Sequence, residues 1–206
     1  MKVDRRVRRT KKALETAFLE LMHEGSYQRI TILAICEKAD YTRGAFYKHY
    51  NSKEDLLHQI TENRIGSLLK ALKEPYATTK QLEISLIHPA ALKLFDHIYL
   101  NRDFYQLIKH PDFKLVLQER MVKMFIHHFL NDLNFEYADH SRRIEEKIKA
   151  YHLAYATFGV VLYWIEQDFR FSSHYMAKEL MWITTTPMFR ATFSPGEFQG
   201  EPTFYN

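Results

Sequence analysis

Apolar residues recur at every third or fourth position along most of this 206-residue chain, a period that predicts helices almost throughout. From about Arg5 to Glu24, Leu14, Ala17, Phe18, Leu21 and Met22 form one apolar stripe, and Gly25 follows as the expected left-handed cap. Ile32, Ile35, Cys36 and Ala39 share a face of a second helix, which Thr31 can cap. Asp40 stands in the next turn, and Thr42 can cap a short third helix. Phe46 and Tyr41 are expected to point inward and hold that helix against the first two. Ser52, with Asp55 three residues on, predicts a capping box opening a long fourth helix that ends before Pro75.

From Tyr76 to about Leu86 the period lapses, as in a connector. Pro89 then fits the first turn of a helix reaching Leu100. Asn101 is placed to cap a short helix bearing Phe104, Tyr105, Leu107 and Ile108, which Pro111 and Asp112 should break. A further helix is expected from about Phe113 to Leu130, then a polar loop from Asn131 to His140. Ile144, Ile148, Tyr151, Tyr155, Phe158, Leu162 and Ile165 alternate spacings of four and three, which predicts a seam packed lengthwise on another helix. Leu153, Val160, Val161 and Trp164 make a second apolar line, while Ala154, Ala156 and Gly159 would let a neighbouring backbone come close. A helix apolar on two faces must be covered on both. A second copy of the chain is the simplest cover for the outer one; a helix surrounded within one subunit is the alternative. Ser173 can cap a last helix with Met176, Leu180 and Ile183 on one side. The stretch from Pro187 to Asn206 reads as irregular and unusually aromatic.

Six Gly and six Pro are few, which favours long helices over a turn-rich β fold. No apolar run approaches the roughly 18 residues needed to span a bilayer, and no apolar signal region follows the Arg-rich start. One cysteine, Cys36, has no partner within the chain. A cytoplasmic address and no membrane contact are therefore expected. Charge is uneven. Residues 1–53 hold twelve Lys+Arg against six Asp+Glu, so the rest carries −2 of the net +4. A basic head on a slightly acidic body suits contact with a polyanion.

That head concentrates groups that reach nucleic acid. A recognition helix needs side chains for base edges and others for phosphates. Arg43 can donate two bonds to guanine, Thr42 can bond a base or phosphate, and Gly44 lets the backbone approach the groove. Tyr47, Lys48 and His49 suit phosphates or a thymine methyl, and Thr31 and Lys53 stand at helix starts that favour anions. Arg5, Arg6, Arg8 and Arg9 are candidates for a basic arm that adds salt-sensitive phosphate contacts. An ordinary solvated face would explain any one of these residues, but not the whole ordered set.

Residues 31–53 closely resemble the DNA-binding segment of the TetR/AcrR family of bacterial transcriptional regulators. The resemblance lies in Thr31, Ile35, Ala39, the run Thr42-Arg43-Gly44-Ala45-Phe46-Tyr47, His49-Tyr50 and Ser52-Lys53. Three positions depart from the family pattern: Asp40 replaces Gly, Tyr41 a small aliphatic residue, and Cys36 a small residue, usually Ala. The resemblance implies an all-α fold of about nine helices: a helix-turn-helix domain over 1–53, joined by a long helix to a C-terminal ligand-binding and dimerisation bundle over 54–206. It implies a homodimeric repressor on a palindromic double-stranded operator, released by a small apolar effector. It assigns base or phosphate contact to Thr42, Arg43, Gly44, Tyr47 and His49, and phosphate contact to Thr31 and Lys53. Asn101-Arg102-Asp103-Phe104-Tyr105 also looks like one branch of the family's C-terminal domains.

Phe95, Tyr99, Phe104, Tyr105, Met121, Met124, Phe125, Tyr155 and Phe158 can line an effector cavity, although most such aromatics are plain core. No cofactor and no metal are expected. The adjacent His127 and His128 point in different directions on a helix, and no His-Glu-x-x-His or cysteine pair occurs. No catalytic constellation stands out either. Two rival readings stay open: a DNA-binding protein controlled by protein contacts, and an apolar-ligand-binding or enzymatic helical protein without specific DNA binding.

Overall fold

The computed structural model describes residues 5–76, 87–133 and 145–186, and within them every regular element is helical. Nine α-helices follow in order: α1 Arg5–Glu24, α2 Ile32–Ala39, α3 Arg43–Tyr47, α4 Lys53–Lys73, α5 Ile87–Leu100, α6 Arg102–Tyr105, α7 Pro111–Asn131, α8 Glu146–Glu166 and α9 Ser173–Thr185. Short 3-10 turns stand at Tyr27–Arg29, Glu74–Tyr76 and Gln106–Lys109. The all-α architecture agrees with the pattern of apolar positions. Most of the expected connector, the polar loop past Leu133, Ile144 and the aromatic stretch from Pro187 lie outside the described residues.

The head, α1 to α3, is organised by local chemistry. Leu14, Phe18 and Met22 of α1 close over Ile35, Cys36 and Phe46, all essentially without solvent contact. Thr31, Thr42 and Ser52 each accept a hydrogen bond from the backbone N–H three residues on, at 3.1, 3.2 and 3.2 Å. Each cap is worth about 1 kcal/mol. The capping box at Ser52 is only half formed, because the Asp55 carboxylate accepts from the N–H of Asn51 at 2.8 Å and not from that of Ser52. Gly25 does not act as a left-handed cap: its φ lies outside the left-handed region, and a Cβ there would meet nothing within 4 Å. Arg5 to Arg9 form the first turns of α1 and not an extended arm.

The body begins within α4. Its first turns bond the head through Tyr27–Glu54 and Lys11–Gln59, and its later ones bond the body through Ser67–His97 and Lys73–Asp132. One buried apolar cluster runs through both halves. In the body α7 lies along α8, α5 along α9, and α4 against α5 and α7. Trp164 of α8 is fully buried, donates to the Phe171 carbonyl at 2.9 Å, and meets Phe95 and Phe169 edge-on. Two expected caps and one expected helix start in the body differ from the structure. The Asn101 amide donates back to the His97 carbonyl at 2.7 Å instead of capping α6. The short helix ends before Pro111 as expected, but Pro111 itself opens α7 ahead of the expected start near Phe113, since its missing N–H costs nothing at a helix start. Ser172, not Ser173, caps α9.

The α8 seam divides. Ile148, Tyr151 and Tyr155 are exposed, whereas Phe158 and Ile165 are buried. A seven-residue repeat drifts about 20° per heptad around a straight helix, so the line turns from the outer face to the inner one. The outer face of α8 keeps Ile148, Tyr155 and Tyr163 about half exposed, with Ala156 and Gly159 between them. The neighbouring α9 exposes Tyr175, Trp182 and Ile183, so of its expected apolar side only Met176 and Leu180 are buried.

Tyr105 is fully buried, yet its hydroxyl has no partner among the described residues. Burial pushes its phenol far above the ordinary range. Removing an unsatisfied buried hydroxyl relieves a desolvation cost. Tyr105→Phe is therefore expected to hold stability or raise it by up to about 1 kcal/mol, read from the urea midpoint at constant slope. A loss of that size would reveal a partner for the hydroxyl.

Candidate nucleic-acid interface

The turn between α2 and α3 sets the pose of the recognition segment. Asp40 adopts a left-handed conformation, φ 57° and ψ 46°. The Tyr41 N–H donates to the Cys36 carbonyl at 2.9 Å and the Asp40 N–H to that of Glu37 at 3.2 Å. This paired closure ends α2 and redirects the chain at once into α3. Aspartate costs about 1 kcal/mol relative to glycine at such a position, yet the turn is made. Tyr41 is half-buried against the core, and Phe46 is wholly inside, edge-on to Tyr47 at 5.6 Å.

With Phe46 turned in, the other face of α3 is left outside. Thr31, Thr42, Arg43, Gly44, Tyr47 and Lys48 are all exposed, Tyr47 by 57%. Thr31 and Thr42 accept through their oxygens, so each hydroxyl proton is still available to a phosphate. A Cβ built on Gly44 would meet only the Thr42 hydroxyl, at 3.8 Å. Nothing inside the protein therefore requires glycine there. His49 is half-buried beside Tyr50, at 6.4 Å between rings.

Lys53 is placed differently. Its ammonium donates to the carbonyls of Tyr27 and Ile30, both at 3.0 Å, and stands 4.3 Å from the centre of the Tyr27 ring. It ties the 3-10 turn to the start of α4, with one of three N–H donors left over. Tyr27 in turn donates to Glu54 at 2.9 Å. Glu54 is held below the usual carboxylate range, mainly by bonds at the α4 N-terminus, and burial and Glu54 push the Tyr27 phenol up.

The body contains a cavity of about 70 Å³. Of the nine residues expected to line one, Phe125 does so. Phe95, Phe104, Tyr105, Met121, Met124 and Phe158 are packed in the core, and Tyr99 and Tyr155 are largely exposed. The wall instead comes from Leu94, Phe125, Phe129, Thr157, Leu180 and others, with Tyr76 and His128 as its polar corner. Burial pushes the Tyr76 phenol up to about 12. His128 is not among the residues expected to line a cavity. The signal available was an Asp four residues on, within hydrogen-bonding reach along one helix face.

A short capped helix presenting Arg43, a bare Gly44 and Tyr47 from a basic three-helix head, carried on a helical body, defines a helix-turn-helix protein. Two family models confirm the class. The description "Bacterial regulatory proteins, tetR family" matches residues 14–60, and "Transcriptional regulator C-terminal region" matches residues 85–186. The chain belongs to the TetR family of bacterial transcriptional regulators. It is similar to the uncharacterized HTH-type transcriptional regulator YxbF of Bacillus subtilis (strain 168), 25% identical over 200 residues, covering 91% of this chain and 49% of the relative. It is also similar to DhaS of Lactococcus lactis subsp. lactis (strain IL1403), named a transcriptional activator of the dhaKLM operon, 29% identical over 99 residues, 48% of each chain. The chain thus spans about half the length of the curated relatives it matches. Among solved structures, a TetR-family regulator from Syntrophomonas wolfei str. Goettingen shares the fold, with a TM-score of 0.62 at 13% identity, covering 84% of this chain and 92% of that one.

Proposed function

We propose that this protein is a cytoplasmic, homodimeric transcriptional repressor that binds a palindromic operator and leaves it when a small apolar molecule occupies the body. Family membership supports regulation of transcription. The observation that carries DNA reading is the exposed set Thr42, Arg43, Gly44, Tyr47 and Lys48 on the side of α3 opposite buried Phe46. Arg43 and Thr42 read base edges, Gly44 admits the backbone, and Thr31, Tyr47, Lys48 and His49 grip phosphates. Lys53 has a double role, bracing the head and offering its remaining N–H to a phosphate. The functional boundary falls near 53/54, with α4 belonging mechanically to both parts.

The outer face of α8, with Ile148, Tyr155 and Tyr163, and exposed Trp182 of α9 support a dimer through these helices. Two heads joined in this way match a two-fold operator. The cavity near His128 is the effector's site, and occupancy shifts the population towards heads that no longer fit the operator.

Selection of binding sites from random duplex DNA at near-physiological salt tests the reading. Enrichment of a palindrome is expected. Binding to every duplex alike, with salt sensitivity alone, would sink it. A reporter behind the selected site then separates repression from the activation named for the Lactococcus relative.

A further inference from the structure

The cavity of the body is walled mainly by apolar side chains, with Thr157, Thr184 and the corner where Tyr76 and His128 meet as its polar residues. His128 lies on α7 with its side chain only 2% exposed. Its Nδ1 stands 3.0 Å from Oδ2 of Asp132, and the other oxygen of Asp132 receives the Lys73 ammonium at 2.7 Å. Lys73 and His128 hold Asp132 below the usual carboxylate range against the opposing effect of its burial. An ionised carboxylate only accepts, so the proton between the two groups sits on Nδ1. Burial holds the imidazole itself below its ordinary range. The ring is therefore neutral, its single proton is directed to Asp132, and Nε2 is a bare acceptor. No described residue donates to Nε2. Tyr76 stacks on the same ring, with centroids 6.5 Å apart and planes 19° from parallel, and the bond to Asp132 sets the ring's orientation. The Thr184 hydroxyl, also on the wall, donates to the Leu180 carbonyl at 2.7 Å.

An oriented acceptor at the edge of a mainly apolar space of about 70 Å³ selects for chemistry as well as for size. An all-hydrocarbon guest leaves the acceptor desolvated and unsatisfied, which costs binding. An ionised carboxylate has no proton to give and brings charge into an apolar wall. We propose that the cavity takes a compact apolar molecule with a single hydroxyl, a phenol or small alcohol, whose O–H donates to Nε2 of His128. The proposal rests on the reading of this cavity as the effector's site, and it names the effector's class. The chain Lys73–Asp132–His128 also joins the guest to the last turn of α4, the helix that begins in the DNA-binding head.

Phenol and toluene have nearly the same shape and differ by OH for CH₃. Each is titrated into the full chain in the absence of DNA, together with benzoate, with calorimetry and the ¹⁵N resonances of the imidazoles as readouts. Phenol is expected to bind about tenfold or more tighter than toluene, since one hydrogen bond to an otherwise unsatisfied buried group is worth about that factor. It should move the Nε2 resonance of His128, and benzoate should not bind. His128→Phe keeps an aromatic ring in the wall and should erase the preference for phenol. His128→Gln keeps an acceptor and should retain part of it. Equal affinity of phenol and toluene for the wild type, binding of neither, tightest binding of benzoate, or an undiminished phenol preference in His128→Phe overturns the proposal. The wild-type and His128→Gln comparisons decide the matter even if His128→Phe fails to fold. Because no DNA is present, failure here leaves the operator reading intact, and failure to select an operator leaves this result intact.

Discussion

Arg43→Ala is expected to flatten discrimination between the selected operator and random duplex, lowering operator affinity by about tenfold to a hundredfold per half-site, while binding to random DNA falls far less. A bidentate contact from arginine to guanine is worth about 1–3 kcal/mol of discrimination. Arg43 is exposed on the outer side of α3 and makes no ion pair with a described residue, so its loss should leave the head folded. Lys53→Ala should behave differently. It removes two bonds to backbone carbonyls and the contact with the Tyr27 ring, so the head should lose stability and all duplexes should be bound more weakly by a similar factor. Fluorescence anisotropy on specific and scrambled duplexes across a salt series separates the two, with thermal melts of the free proteins alongside. Equal losses on both duplexes in Arg43→Ala would remove that residue from base reading.

The second large effect is expected at the surface of α8 and α9. Tyr155→Arg combined with Trp182→Glu places charge on two exposed aromatic positions, 54% and 65% open to solvent. In a monomer these changes are nearly neutral, because neither side chain is part of the buried core. In a dimer they charge a desolvated apolar contact, so the variant should sediment as a monomer at micromolar concentration where the wild type is a dimer. Operator affinity should then fall by about a hundredfold or more, since the second half-site is no longer held at high effective concentration. Helical content by circular dichroism should not change. A variant that remains dimeric, or a wild type that is already monomeric, would place the partner surface elsewhere or remove it.

The head was largely legible in the sequence because its organisation is local. A threonine or serine oxygen reaching the N–H three residues on is decided within one turn, so the caps at Thr31, Thr42 and Ser52 could be read without tertiary information. Phe46 could be turned inward by helical spacing alone, which left Arg43, Gly44 and Tyr47 outside. Where a choice depended on the rest of the molecule, reading by pattern failed. Gly25 looked like a left-handed cap, but the 3-10 turn after it lets the chain leave α1 with an ordinary φ. Asn101 looked like a cap for α6, but its side-chain amide joins its own backbone N–H on the His97 carbonyl in the last turn of α5. Lys53 stood at a helix start that favours anions. Nothing in the spacing announced that the carbonyls of Tyr27 and Ile30 would converge on its ammonium. The cavity was the least legible feature. Whether an aromatic on an amphipathic helix fills space or borders it depends on which small residue faces it, and Ala90 and Ala91 are brought to the same cavity as Phe125 only by the packing of α4 against both α5 and α7.

Cys36 is the only cysteine in the chain, and it lies on the inner side of α2, 2% exposed, with its thiol pushed up by burial. A thiol that is neither accessible nor ionised is a poor target for peroxide or maleimide. The wild-type chain is thus a chemically silent background. One cysteine introduced at an exposed position outside the proposed interfaces, such as Glu37, would be the sole labelled site in each copy. The separation of two such labels could then be followed with and without DNA and without first removing a native thiol.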